Sequence, residues 1–375
     1  MTGRPEARLL LLAALLAPLL AGCGGPDIAD ARIDHRACAS LRLADESGAP
    51  IRGIENMALL PDDDMLLLSA YDRRAVGAAI EAGADILPTG GLYRIALADL
   101  AAGRSVAAKL EGPVLRPHGL AVGGGPEGRD IHVIERHYRK DAGEWMLAPQ
   151  LVEASLPSGA SGLVAARITD FPADICAPND LDWTPAGLFI SNDHESCRGL
   201  PRLLEDMFAL ARARVVRFRD GRFSTRLEGL VYANGVAYDD RDDSILVAET
   251  RAEAIRILPL DERMPEPEVI ALDAAPDSLS FDEQGRLYIA AHPDLFAYAA
   301  FRGGWFGRGT APSRVYRITR APEGVVEVAL VFDDPEGALV SGATGVAARG
   351  DLLVISGGYD DRIALCHLAQ EDEAP

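Results

Sequence analysis

Six polar residues, Glu55, His118, Asn179, Asn234, Asp277 and Thr344, each stand at the head of an apolar stretch, at spacings of 63, 61, 55, 43 and 67 residues. Glu55, Asn179, Asn234 and Asp277 offer carboxylate and amide oxygens. Such hard donors suit calcium, which gathers about six to eight oxygens from carboxylates, amides, carbonyls and water. No Cys–His grouping of the kind that favours zinc or copper accompanies them. Two carboxylates and two amides leave positive charge on a divalent ion, which can then act as a Lewis acid. His118 adds an imidazole, whose ordinary pKa near neutrality suits a general base. A single Asn or Asp says little, because both are default turn residues. Four at matching repeat positions say much more.

The elements that must position these residues repeat with them. Behind each leading residue come a few residues, a tight turn and a short apolar run: DMLLLS (64–69), DIHVIE (130–135), GLFISN (187–192), SILVAE (244–249), RLYIAA (286–291) and DLLVIS (351–356). Six further segments, at 91–97, 150–156, 214–219, 254–260, 314–320 and 362–368, alternate apolar residues with Arg or Glu, as strands buried on one face do. Self-similarity at this period marks a radial β repeat, in which the leading residues meet at a central channel. The expected fold is therefore all-β, a six-bladed β-propeller over 38–368 with a central calcium site. Residues 200–213 break the pattern with an apolar stripe at helical spacing, Leu203, Leu204, Met207, Phe208 and Ala211. They form a short helical insertion near the channel mouth: either a lid or membrane-facing helix, or an ordinary helix packed on the propeller face. Segments 72–88 and 297–313 are two further excursions, the second expected as a rim loop.

Bulk properties narrow the function classes. The chain of 375 residues is 48% hydrophobic and 25% charged, as globular proteins are, and carries a formal net charge of −20. That charge argues against nucleic acid as a partner, which requires a basic footprint. Arg4 and Arg8 precede an apolar run, Leu9 to Leu20, too short to span a bilayer, and the run ends in Leu20-Ala21-Gly22-Cys23. This resembles the lipobox of bacterial lipoproteins, with Cys23 as the lipidated residue; the alternative is a plain secretory signal. The expected organisation is a signal peptide at 1–22, a lipidated tether at 23–37, the propeller, and an acidic tail at 369–375. Gly24 rather than Asp after Cys23 points to the periplasmic face of the outer membrane. Four further cysteines suit an oxidising compartment. A Cys38–Cys366 bridge would close the ring where first and last strands meet. Cys176 and Cys197 read either as a second bridge or as two buried free thiols.

The stretches IENMALLPDD, PHGLAV, APNDLDWTPAGLFISNDH, YANGVAYDDRDDSILVAE, DSLSFDEQGRLYIAAHP and RIALCHL resemble the paraoxonase-type lactonases and arylesterases, within the wider group of six-bladed calcium propellers that includes gluconolactonases. The terminal cysteine pair matches as well. The resemblance implies a small-molecule lactone or ester substrate and a catalytic calcium held by Glu55, Asn179, Asn234 and Asp277. Ser278 stands where the family commonly has an Asn ligand. It implies a second, structural calcium at Asp180 and the Leu120 carbonyl, with Asn56 in place of an Asp ligand. It matches His118 to the first histidine of a catalytic dyad and His137, 19 residues later, to the second, although Glu135-Arg136 departs from the family pattern. Asp193, His194, His292 and Thr344 are expected to line the site. The competing class is a non-hydrolytic, calcium-stabilised propeller acting as a surface-anchored binding protein. Substrate identity and oligomeric state are not written in these motifs.

Overall fold

Each apolar run forms the second strand of a blade, and burial on both faces explains its composition. In Ser244–Glu249 every residue is buried. Leu246 and Ala248 pack toward the next blade and Ile245 and Val247 toward the preceding one. The same division recurs around the ring, so the core consists of six apolar layers, each between two adjacent blades. A computed structural model describes residues 28, 31–33, 37–60, 64–124, 128–261, 267–320 and 326–368. The signal segment, Cys23, most of the tether and the acidic tail lie outside the described residues.

The six blades have as innermost strands Ile54–Leu60, Pro117–Gly123, Pro178–Thr184, Ala233–Asp239, Ala275–Phe281 and Gly345–Arg349, and their strands pair antiparallel except that blade one adds Ala44–Asp45 parallel to Val106–Lys109. The sixth blade is completed by the N-terminal strand Ala39–Leu41, which pairs with Ile363–His367. The Cys38–Cys366 disulfide fastens this closure, and Cys176–Cys197 is bridged too. Part of the segment expected as a tether lies on blade five, where the Arg32 and Ile33 N–H groups donate to the Leu330 and Val331 carbonyls at 3.0 Å.

The helical insertion is shorter than its apolar stripe suggests. It spans Gly199–Met207 and ends where Ala209 turns left-handed, φ 48°. Its stripe faces outward: Leu200, Leu203, Met207 and Phe208 are exposed, while Glu205 is buried and accepts the N–H groups of Glu195 and Ser196. Polar anchoring has overridden the amphipathic pattern. The excursion at 72–88 holds a helix, Arg73–Glu81, capped by Asp72. The expected rim loop at 297–313 begins inside the helix Leu295–Gly303, capped by Asp294 and stopped by left-handed Gly304.

Candidate active site

Inner strands one to five each carry a β-bulge at the leading residue, at Glu55, His118-Gly119, Asn179-Asp180, Asn234-Gly235 and Asp277-Ser278. A bulge inserts one extra residue and re-aims the side chains beside it. Here it turns the leading side chains toward the axis, and Glu55, His118, Asn179, Asn234 and Asp277 line one cleft of about 480 Å³. The second bulge residue alternates with the blade. Even blades use glycine because the next inner strand passes too close for a side chain. A Cβ on Gly119 would lie 2.7 Å from the Asn179 carbonyl oxygen, and one on Gly235 2.3 Å from that of Asp277. Blade six has no bulge at Thr344. That side chain donates to the Glu55 carbonyl at 3.2 Å and accepts from the Gly358 N–H at 2.9 Å, tying the ring shut instead of lining the cleft.

The polar orientation of the ring suits a cation. The Asn179 amide nitrogen donates to Asp193 Oδ2 at 3.2 Å and that of Asn234 to Thr250 Oγ1 at 3.1 Å, which leaves both amide oxygens free of donors among the described residues. Asp277 uses Oδ2 to accept from His292 Nε2 at 2.8 Å and keeps Oδ1 free. Glu55 Oε2 is buried without a hydrogen-bond partner. Oxygens from four blades thus accept no hydrogen bond there among the described residues, although the Arg73 guanidinium stands 3.2 Å from Glu55 Oε2; carboxylate and amide oxygens are the donor set expected of a calcium cage. Burial, reinforced by the charge of Glu55, pushes the Asp277 carboxyl up to about 6.

The deeper layer is held by hydrogen bonds between its expected ligands. Asn56 donates its amide N–H to Asp180 Oδ1 at 2.7 Å, and the Val236 N–H donates to Asp180 Oδ2 at 3.1 Å. Asn56 therefore presents a hydrogen, not an oxygen, to the carboxylate. Asn56, Leu120 and Asp180 line a separate stretch of channel, and Ser278 lines neither cavity.

A second ring stands beside the first. In each antiparallel hairpin the head of the inner strand pairs with the tail of the second strand, as Pro178 with Asn192, Ala233 with Glu249 and Ala275 with His292. Residues at those tails therefore return to the same face. They are Arg73, Arg136, Asp193, Thr250, His292 and Tyr359. Sequence reasoning found Asp193 and His292 but missed Arg73 and Arg136. His137 is not among the cleft-lining residues; its neighbour Arg136 is.

Arg73 organises one wall. Its guanidinium lies 3.2 Å from Glu55 Oε2, donates to the Gly53 and Gly358 carbonyls at 2.9 and 3.1 Å, and donates to His118 Nδ1 at 2.8 Å. A guanidinium is a donor only, so His118 carries its hydrogen on Nε2. Burial, then Arg136, Arg73 and Arg302, hold the His118 pKa well below the ordinary imidazole range. His292 has the opposite polarity: it donates from Nε2 to Asp277, and its buried Nδ1 has no hydrogen-bond partner. Its ring stacks on Tyr298, centroids 3.7 Å apart. His194 joins blade three to the rim helix, donating to Asp193 at 2.6 Å and to Asp206 at 2.7 Å. Burial lowers its pKa, but the two carboxylates outweigh burial and raise it to about 9.

Fold and site define a six-bladed propeller with a polar axial cage. Residues 179–368 match the family described as Arylesterase, and the chain belongs to it. Serum paraoxonase/arylesterase 2 of Homo sapiens is 31% identical over 120 residues, 30% of this chain and 34% of that protein. The match thus spans about a third of the length of that relative. Among solved structures, a luciferin-regenerating enzyme has the same fold at 12% identity, covering 88% of this chain and 96% of its own, with a TM-score of 0.51. A gluconolactonase from Xanthomonas campestris is 17% identical over 93% of this chain and 96% of its own, with a TM-score of 0.49.

Proposed function

We propose that the protein is a calcium-dependent hydrolase of carboxylic esters, acting on lactones or aryl esters. The observation that carries this reading is the convergence of carboxylate and amide oxygens from four blades, those of Glu55, Asn179, Asn234 and Asp277, on one cleft. These residues would hold a calcium ion, which when bound supplies Lewis-acid polarisation of the ester carbonyl. The arylesterase family supports the reaction class.

The proton chemistry favours His292 over the His118 base expected from sequence. His292 offers an unprotonated Nδ1 and is oriented by Asp277, the relation of a base to its positioning carboxylate. It takes a proton from water as the water oxygen attacks the acyl carbon. The acyl C–O bond then breaks, and the imidazolium returns the proton to the leaving alkoxide or phenoxide. Asp277 stabilises the imidazolium in between. His118, kept neutral with Nε2–H by Arg73, serves as a hydrogen-bond donor to the oxyanion. A panel of small lactones and aryl esters, with wild type, His292→Gln and His118→Gln, tests the assignment.

We also propose that Cys23 carries a lipid that anchors the chain in the cell envelope. The Leu20-Ala21-Gly22-Cys23 motif supports this. Labelling with radioactive palmitate should mark the wild type and spare Cys23→Ala.

A further inference from the structure

The cleft of a chain whose formal net charge is −20 holds five arginines, Arg73, Arg136, Arg202, Arg251 and Arg302. A neutral lactone or aryl ester carries no charge for them to pair with. Their distribution against the carboxylates decides what they are for. Glu55 is matched by Arg73, Asp193 by His194 with Arg202 at 3.7 Å, Asp206 by His194, and Asp277 by His292. Glu135, the buried carboxylate next in sequence to Arg136, accepts the Arg116 N–H and lies 3.7 Å from the Arg116 guanidinium. Every carboxylate at the cleft is therefore engaged elsewhere.

Three guanidinium groups form no ion pair among the described residues: Arg251, which is exposed, and Arg136 and Arg302. Arg136 forms no ion pair with the carboxylates around it, and its Nε is buried without a hydrogen-bond partner. Arg302, at the end of the helix Leu295–Gly303, lies 5.6 Å from the Tyr359 ring, and no carboxylate pairs with it among the described residues. Arg136 and Arg302 line the same cleft as His118, Asp277 and His292, which places the spare positive charge in the cavity that holds the reacting groups. Arg136 is half-buried and Arg302 exposed, so the charge runs from the mouth of the cleft inward. Guanidinium forks grip carboxylate and phosphate oxygens bidentately, and such charge-assisted bonds are the strong ones.

We propose that Arg136 and Arg302 form an anion subsite, and that the ester or lactone taken by this cleft carries an oxyanion group, carboxylate or phosphate, away from its scissile carbonyl. This rests on the ester-hydrolase reading above and names the substrate class within it.

The test compares 4-nitrophenyl acetate with 4-nitrophenyl hemisuccinate, its methyl ester, and a 4-nitrophenyl ester of similar length whose acyl chain ends in a phosphonate, in the full chain with calcium. Wild type should favour an anionic ester over its neutral counterpart by at least about tenfold in kcat/KM. Whether the carboxylate or the phosphonate member leads identifies the oxyanion. In Arg136→Gln and Arg302→Gln the anionic-to-neutral ratio should fall toward one, chiefly through KM, and the preference should weaken with salt. Equal kcat/KM for charged and neutral esters, or a ratio that survives both substitutions, overturns the subsite. Calorimetric titration with benzoate and with uncharged benzamide separates this from the parent reading. Benzoate binding lost in Arg136→Gln, without turnover of any ester, would keep the subsite and remove the hydrolase. Absence of benzoate binding together with charge-blind turnover would do the reverse.

Discussion

Arg73 donates a hydrogen bond to His118 Nδ1 at 2.8 Å while standing 3.2 Å from Glu55 Oε2. The bond fixes the His118 tautomer, and the charge neutralises a carboxylate in the cage. Arg73 also ties blade one to blade six through the Gly53 and Gly358 carbonyls. Arg73→Gln would leave Glu55 buried without its cation. Removing one partner of a buried pair costs about 3 kcal/mol or more, and the urea unfolding midpoint should fall accordingly. Arg73→Lys should recover little, because one ammonium cannot serve His118, Glu55 and two carbonyls together. An unchanged midpoint in Arg73→Gln would remove this role.

The two imidazoles make separable predictions. His292→Gln should lower kcat by about 10²–10⁴, the range of general-base catalysis. His118→Gln keeps an amide N–H that can still donate, and its loss should be smaller. Steady-state kinetics on one aryl ester decides between them. A larger loss at His118 returns the base to that residue.

His194 predicts a pH dependence in the rim helix. Its folded pKa, about 9, lies above the ordinary value of 6.5. The proton is bound more tightly in the folded state, so the contribution is full below pH 6.5 and is lost as pH rises through about 9. Hydrogen exchange in Gly199–Met207 should accelerate across that window, and His194→Gln should abolish the pH dependence. Exchange independent of pH after correction for intrinsic rates would contradict the anchoring by Asp193 and Asp206.

The disulfides differ in the chain they close. Cys38 and Cys366 are 328 residues apart, Cys176 and Cys197 only 21. Loop-closure entropy gives upper figures of about 6 and about 3 kcal/mol respectively. Cys38→Ser with Cys366→Ser should therefore lower the denaturation midpoint more than the Cys176/Cys197 pair does. The reverse order would mean that the terminal strand holds the ring without its bridge.

What the sequence made legible follows from period and burial. The apolar runs must be second strands because both faces are covered, and the leading residues must meet at the axis because the blades are radial. Glu55, Asn179, Asn234 and Asp277 were found on that ground. Arg73 and Arg136 were not, because their positions depend on hairpin registers and on where each second strand ends. A signal was present: the residue at or just past each apolar run returns to the cleft face. His137 was chosen by spacing alone, one residue from the side chain that reaches the cleft. The expected helix at the channel mouth is present, and its orientation was not legible because Glu205, Asp206 and Arg202 bind loop N–H groups, His194 and Asp193, and turn the apolar stripe outward.

The central claim is that the four-oxygen cage holds a calcium ion on which ester hydrolysis depends. Turnover of the lactone and aryl-ester panel should disappear with EDTA, return with Ca²⁺, and stay absent in Asp277→Asn under saturating calcium. Turnover indifferent to chelation would contradict the account. A folded protein inert with and without calcium would contradict it too, and would leave a binding propeller in place of a hydrolase.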